Sequence, residues 1–201
     1  MYLLAAFTFC IFIILRITYT TPLIHAYDEK IATLLKDNQF IIFFHTIGEP
    51  IFVVIVAFVL LIWLWLRQRN YRAMLFVLLT IAAGNVLNQL LKKWVERPRP
   101  EIVDQLSSYS FPSGHAMTGI LYLLTIAYLL SEVLRNQRTI LLVWIVALVL
   151  ACLIGLSRIA ESRHFASDVL AGWSMGYTWF AICVFWYERR KSRFKMTHSQ
   201  R

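Results

Sequence analysis

Cysteine, glycine, proline and acidic residues are all scarce in this 201-residue chain, which carries three Cys, seven Gly, five Pro and eleven Asp plus Glu. The cysteines, Cys10, Cys152 and Cys183, are odd in number, lie inside apolar runs and lack metal-ligand spacing, which excludes a disulfide framework and a thiolate metal site and leaves them as packing residues. No Gly- or Ser-rich stretch marks a second domain, and no long internal repeat is present, so the chain reads as one domain over 1–201. A cleaved signal peptide is not expected, because no basic region precedes Leu3, and a lipoprotein signal is not expected, because Phe9 precedes Cys10. The few acids face twenty Lys and Arg, for a formal charge of +9. Such an excess could serve nucleic acid. Its placement in short loops and a tail beside apolar spans instead suits membrane topology and contact with anionic lipid, so no nucleic-acid partner is expected.

What is abundant is apolar surface. Hydrophobic residues make up 59% of the chain and the mean hydropathy is +0.63, too apolar for an ordinary soluble protein. Six apolar segments, at about 2–20, 50–66, 72–91, 115–131, 139–156 and 168–187, approach the ~20 residues a spanning helix needs. The expected fold class is therefore an all-α integral membrane bundle of six transmembrane helices. Seven Trp, nine Tyr and fourteen Phe supply interfacial anchors as well as core. Residues 21–49 are too polar to span, with Asp28, Glu29, Lys30, Lys36 and Asp37 interrupting the apolar positions, and read as a helix lying along the interface.

Basic residues set the orientation. The 2–3 loop (Arg67, Arg69, Arg72), the 4–5 loop (Arg135, Arg138) and the tail at 188–201 (Arg189, Arg190, Lys191, Arg193, Lys195, Arg201) share one side, which should be cytoplasmic. Both termini then lie inside and the 3–4 and 5–6 loops face out. Those outer loops are basic as well, and need another reason to be so.

Three clusters supply it. The first runs Lys92, Lys93, Trp94, Val95, Glu96, Arg97, Pro98, Arg99, Pro100; the second is Pro112, Ser113, Gly114, His115; the third is Ser157, Arg158, His164, Phe165 and Asp168. Pro112 suits a first helical turn, Ser113 a cap, and the free N–H groups of a helix start suit an anion. Several cations gathered on one face suit a group with several negative oxygens, such as a phosphate. Asn85, Asn88 and Lys92 share a helix face leading to that pocket. His164 and Asp168 are four apart, so the carboxylate can accept one imidazole N–H and leave the other ring nitrogen as an unprotonated nucleophile. His115 can then protonate a leaving oxygen and later deprotonate water. The same ligand types could hold zinc, although converging Arg and Lys would repel a divalent cation. Gly172 and Gly176 continue the spacing of Asp168 and let the last helix approach a neighbour closely.

Lys92, six residues, Arg99-Pro100; Pro112-Ser113-Gly114-His115; and Ser157-Arg158, five residues, His164, three residues, Asp168 together resemble the three-part signature of the type 2 phosphatidic acid phosphatases. That family also contains bacterial membrane lipid phosphatases, soluble acid phosphatases and vanadium haloperoxidases. The resemblance implies a lipid phosphate phosphatase with His164 as nucleophile, Asp168 as its orienting partner and His115 as general acid and base. It implies Lys92, Arg99, Ser113, Gly114 and Arg158 as phosphate ligands, choosing Lys92 over Lys93, and implies no metal or other cofactor. The substrate would be a phospholipid or polyprenyl phosphate. An outward site favours undecaprenyl pyrophosphate, with phosphatidylglycerol phosphate or broad phosphatidic acid activity as the alternative. Phosphotransfer to another hydroxyl and non-catalytic lipid-phosphate binding or transport are the rival functions. One departure stands out: Ala160 and Ser162 occupy positions where many members carry an aromatic residue and a glycine, which bears on the pocket wall and headgroup choice.

Overall fold

The computed structural model describes residues 1–102 and 105–199, without the side chains of 67, 68 and 191–199. The end of the basic tail, positions 200 and 201, therefore lies outside the described residues. Every regular element among them is helical. The first, α1 (Tyr2–Thr18), is followed by α2 (Pro22–Leu35), α3 (Gln39–Phe43), a 3₁₀ turn (Thr46–Gly48) and α4 (Pro50–Gln68). Pro22 and Pro50 each open a helix, where the missing N–H is not needed and the fixed φ is already helical. Next come α5 (Tyr71–Val77), a π-helical turn (Leu78–Ala82) and α6 (Ala83–Val95), which together form one span. The chain closes with α7 (Gly114–Val133), α8 (Gln137–Ala160) and α9 (Ala166–Ser199).

Among the described residues four helices are long and apolar enough to cross a membrane, or six if α1 with α2 and the 39–48 segment with α4 each count as one bent span. The last four run past the limits that hydropathy alone sets: Tyr71–Val95, Gly114–Val133, Gln137–Ala160 and Ala166–Arg190. Lys92, Arg158 and Asp168 sit on the terminal turns of these helices, so polar groups that mark the end of an apolar run do not end the helix. They find partners in one another's neighbourhood instead.

The 21–49 segment differs from the single interfacial helix expected. It breaks at Asp37, whose φ is +58, and Asn38 then caps α3 by accepting the Ile41 N–H at 3.2 Å. The α2 helix is turned 106° from α1 and packs against α8 and the start of α9, which buries Asp28.

At the centre lies α7, packed by α8 on one side and α9 on the other. In lipid the helices gain little from the hydrophobic effect, so close backbone approach and interhelical hydrogen bonds hold them. A Cβ on Gly172 would lie 2.7 Å from the Ser113 carbonyl oxygen, and one on Gly176 would lie 2.4 Å from Ile120 Cγ2. These two glycines are what allow α9 onto α7, as their spacing suggested. Trp173 Nε1 donates to the Ala151 carbonyl at 3.1 Å, and Trp179 Nε1 donates to the Leu79 carbonyl at 2.9 Å. At one end of the bundle Tyr187 donates to Glu132 at 2.7 Å beneath the Arg72 guanidinium. All three motifs meet at the other end.

Candidate active site

The polar end is built from the C-termini of α6 and α8 and the N-termini of α7 and α9. Lys92 is buried on the last turn of α6 while Lys93 points outward, and the Lys92 ammonium donates to the Tyr109 carbonyl. Asn88, one turn earlier, donates to the Pro112 carbonyl at 3.3 Å and so ties α6 to the loop that leads into α7. Asn85 does not follow it inward; it lines the cavity described below.

Two local expectations for the second motif change. Pro112 lies outside the helix, which begins at Gly114, and Ser113 occupies the N-cap position without capping through its side chain. Its Oγ is buried and has no hydrogen-bond partner, and the same holds for Arg158 Nε. A buried donor left unmatched is costly; Arg158 lines the cavity described below, and Ser113 lies directly before Gly114, which lines it as well. Gly114 matters for approach: a Cβ there would lie 3.2 Å from Asn88 Oδ1.

The third motif holds His164 in place. Its Nδ1 lies 3.5 Å from Asp168 Oδ2 and 3.4 Å from Ser110 Oγ. Asp168 Oδ2 also accepts from Ser110 Oγ and from the Phe165 N–H at 3.0 Å. On the other side of the ring Arg99 Nη1 lies 3.1 Å from Nε2. A guanidinium can only donate, so Nε2 carries the lone pair and Nδ1 the proton. Burial pushes the imidazole down to about 4 against the pull of Asp168, helped by the cations Arg99 and Lys92. At neutral pH the ring is therefore an uncharged base with Nε2 free of a proton. Arg99 is itself anchored by donation to the Arg163 carbonyl at 2.7 Å and the Ser108 carbonyl at 2.7 Å, and burial beside Arg158 brings its guanidinium down to about 10.

Lys92, Arg99, Gly114, His115, Arg158 and His164 all line one cavity of about 590 Å³. Its far arm is apolar, walled by α4 (Val53, Ala57, Leu61) and by the α5–α6 span (Val77, Ile81, Val86). The sequence predicted the charged end but not the arm.

Other contacts were missed as well. The first cluster, which contains Arg97, is expected to face a phosphate as a group, yet Arg97 itself faces Asp168 and Asp28. The 21–49 segment reaches the site: Glu49 Oε1 lies 3.4 Å from His115 Nε2, and His45 Nδ1 lies 3.0 Å from Glu161, which pairs in turn with Arg158. A carboxylate or histidine inside an otherwise apolar stretch was the available signal.

A family model described as the PAP2 superfamily matches residues 73–192. The chain belongs to the PAP2 superfamily. Phosphatidylglycerophosphatase B of Bacillus subtilis strain 168 is 31% identical over 199 residues, covering 93% of this chain and 96% of that protein. An undecaprenyl-diphosphatase of Sulfolobus acidocaldarius is 26% identical over 167 residues, covering 77% of this chain and 70% of that protein. Among solved structures, a transmembrane PAP2-type phosphatidylglycerolphosphate phosphatase from Bacillus subtilis matches with a TM-score of 0.84 and 29% identity, over 94% of this chain and 98% of that one. This PAP2 chain is accordingly a multi-span membrane lipid phosphatase.

The departure at Ser162 has a physical consequence in this PAP2 site. Its φ is +55, in the left-handed region where a side chain costs about 1–2 kcal/mol and glycine costs little. The Ser162→Gly protein is expected to unfold at a higher temperature in detergent, with a gain of about 1 kcal/mol or less after the added chain entropy of glycine. A lower midpoint would show that the hydroxyl matters more than the backbone.

Proposed function

We propose that the chain hydrolyses a lipid phosphomonoester, phosphatidylglycerol phosphate first, through a phosphohistidine at His164. The observation that carries this reading is the shape of the cavity, with six motif residues at one end and an apolar arm between α4 and the α5–α6 span at the other. A dianionic headgroup suits the first end and a lipid tail the second.

The chemistry runs in two steps. Phosphate oxygens draw Arg99 off His164 Nε2 and take donors from Lys92, Ser113 Oγ, Arg158 Nε and the backbone at Gly114. The freed Nε2 lone pair attacks phosphorus, the bond to the lipid oxygen breaks, and His115 gives that oxygen a proton. Asp168 keeps the Nδ1 proton and steadies the positive charge the ring acquires. Water then attacks phosphorus, giving its proton to His115, and the P–N bond breaks to return His164 and release inorganic phosphate. The charge developing on the phosphoryl oxygens meets fixed cations, so no metal is needed.

Phosphatidylglycerol phosphate is placed ahead of undecaprenyl pyrophosphate, reversing the order drawn from the sequence, because of the full-length likeness to the Bacillus subtilis phosphatase. The Sulfolobus acidocaldarius relative supports the polyprenyl substrate as the second reading. Phosphate release from both lipids and from phosphatidic acid in detergent separates them. The largest kcat/KM is expected on phosphatidylglycerol phosphate and no change on adding EDTA. A larger value on undecaprenyl pyrophosphate overturns the headgroup assignment, and EDTA inhibition reversed by zinc or magnesium overturns the histidine-only mechanism.

The basic loops support a site on the outer face with both termini in the cytoplasm. In intact cells a Ser108→Cys protein is expected to react with an impermeant thiol reagent and a Ser199→Cys protein to stay unlabelled. The opposite pattern would turn the enzyme over.

A further inference from the structure

Arg97 is only 3% exposed and does not line the cavity. Its Nη1 donates to Asp168 Oδ1 at 2.7 Å and to Ser167 Oγ at 2.8 Å, and its Nη2 donates to Asp28 Oδ2 at 2.9 Å. Asp28, also 3% exposed, accepts the Ser167 N–H at 2.7 Å through Oδ1 and the Ser167 hydroxyl at 2.8 Å through Oδ2. The guanidinium carbon lies 5.0 Å from the Tyr19 ring centroid and 4.1 Å from that of Phe165. One planar fork is thus held between two buried carboxylates and two rings, with all its contacts directed.

This geometry fixes which oxygen of Asp168 serves His164. With Oδ1 taken by Arg97, Oδ2 is left for Ser110, the Phe165 N–H and His164 Nδ1. Without Asp28, Nη2 would become an unmatched buried donor and the fork could rotate away from Asp168. Asp28 arrives on α2, whose direction is set by the 106° turn from α1.

We infer that Arg97 is a positioning residue for the Asp168–His164 pair and that Asp28 sets its place, so that docking of α2 completes the active site. This rests on His164 being the nucleophile, as argued above. The charged groups facing the pair are Arg97 and Arg99 from the 96–113 loop, Asp28 from α2 through Arg97, and Lys92 from α6. His115 on α7 and Arg158 on α8 face it across the cavity.

The test compares Asp28→Asn, Arg97→Lys and Arg97→Met in the full chain in detergent, with phosphatidic acid micelles as substrate. Each variant is expected to lose roughly 10–100-fold in kcat, the usual range for groups that orient a reacting side chain, with KM changed by less than about three-fold. With the cation gone the Asp168 charge acts on the His164 ring uncompensated, so the acid limb of kcat/KM, set by protonation of His164, is expected to rise by about one pH unit in Arg97→Met. In Arg97→Lys the limb should stay, because the charge is kept while the fork is lost. A fall in Arg97→Met with an unmoved limb, or kcat within about two-fold of wild type in Asp28→Asn and Arg97→Lys, overturns the inference. Asn keeps the shape of Asp28 and an acceptor for the Ser167 amide, so that variant decides the matter where Arg97→Met does not fold. His164→Ala run in parallel separates the two levels. Turnover in His164→Ala would mean the reading of the site has failed. A dead His164→Ala beside unimpaired Asp28→Asn and Arg97→Lys would mean that this inference alone has failed.

Discussion

Replacing His164 with alanine is expected to abolish phosphate release and covalent labelling together, a loss of roughly 10⁴-fold or more. The expectation follows from the hydrogen bonds around the ring. Nδ1 faces Asp168 and Ser110, while Nε2 meets a guanidinium that can only donate. Among the described residues the other histidine that lines the cavity, His115, meets the half-exposed carboxylate of Glu49 and not a buried one. A merely structural His164 would leave a damaged but labelled enzyme. The measurement is a rapid alkaline quench with labelled aryl phosphate, scoring acid-labile phosphoryl-enzyme. Label retained in His164→Ala would move the nucleophile elsewhere.

His115→Ala is expected to behave differently according to the leaving group. With a lipid phosphate the departing alkoxide is a strong base and needs a proton, so losses of roughly 10²–10⁴ are expected in turnover. With an aryl phosphate the leaving group is a weak base, and the first step should proceed without the acid. The second step still lacks a base to activate water, so phosphoryl-enzyme should accumulate and stall. Label absent from His115→Ala but present in His164→Ala would show the two roles reversed. Glu49 Oε1 lies 3.4 Å from His115 Nε2, within reach to accept a hydrogen bond from that nitrogen.

Much of this is legible in the amino-acid sequence. The apolar runs mark the helices because a spanning segment must satisfy its own backbone hydrogen bonds and cover itself in carbon. The Asp168–His164 pair was legible from its four-residue spacing, although His164 lies two residues before α9 begins, and Gly172 and Gly176 were legible because the helical turn repeats from Asp168. Lys92, Arg99, Ser113, Gly114, His115, Arg158 and His164 were named by motif, and six of them line one cavity. The cap at Ser113 was misread, since residue preference gives the position of a helix start but not where the hydroxyl points. Helix ends were set too short, because hydropathy treats Lys92, Arg158 and Asp168 as boundaries when Lys92 and Arg158 sit on the last turns and Asp168 on the first turn of longer helices.

The sequence by itself determined the class of molecule and which residues gather at its polar end, because both rest on local properties: the length of apolar runs, one-turn spacings and the order of three short motifs. Only the tertiary structure decided how those residues are held. The Asp28–Arg97 pair joins residues 69 apart in the chain, and Glu49 meets His115 across 66. Neither pairing leaves a periodicity to read, since a lone acid in an apolar stretch has the same sequence appearance whether it faces water or a buried guanidinium. What distinguishes the two is the cost of burying an unpaired charge, and that cost takes effect only once the helices have packed.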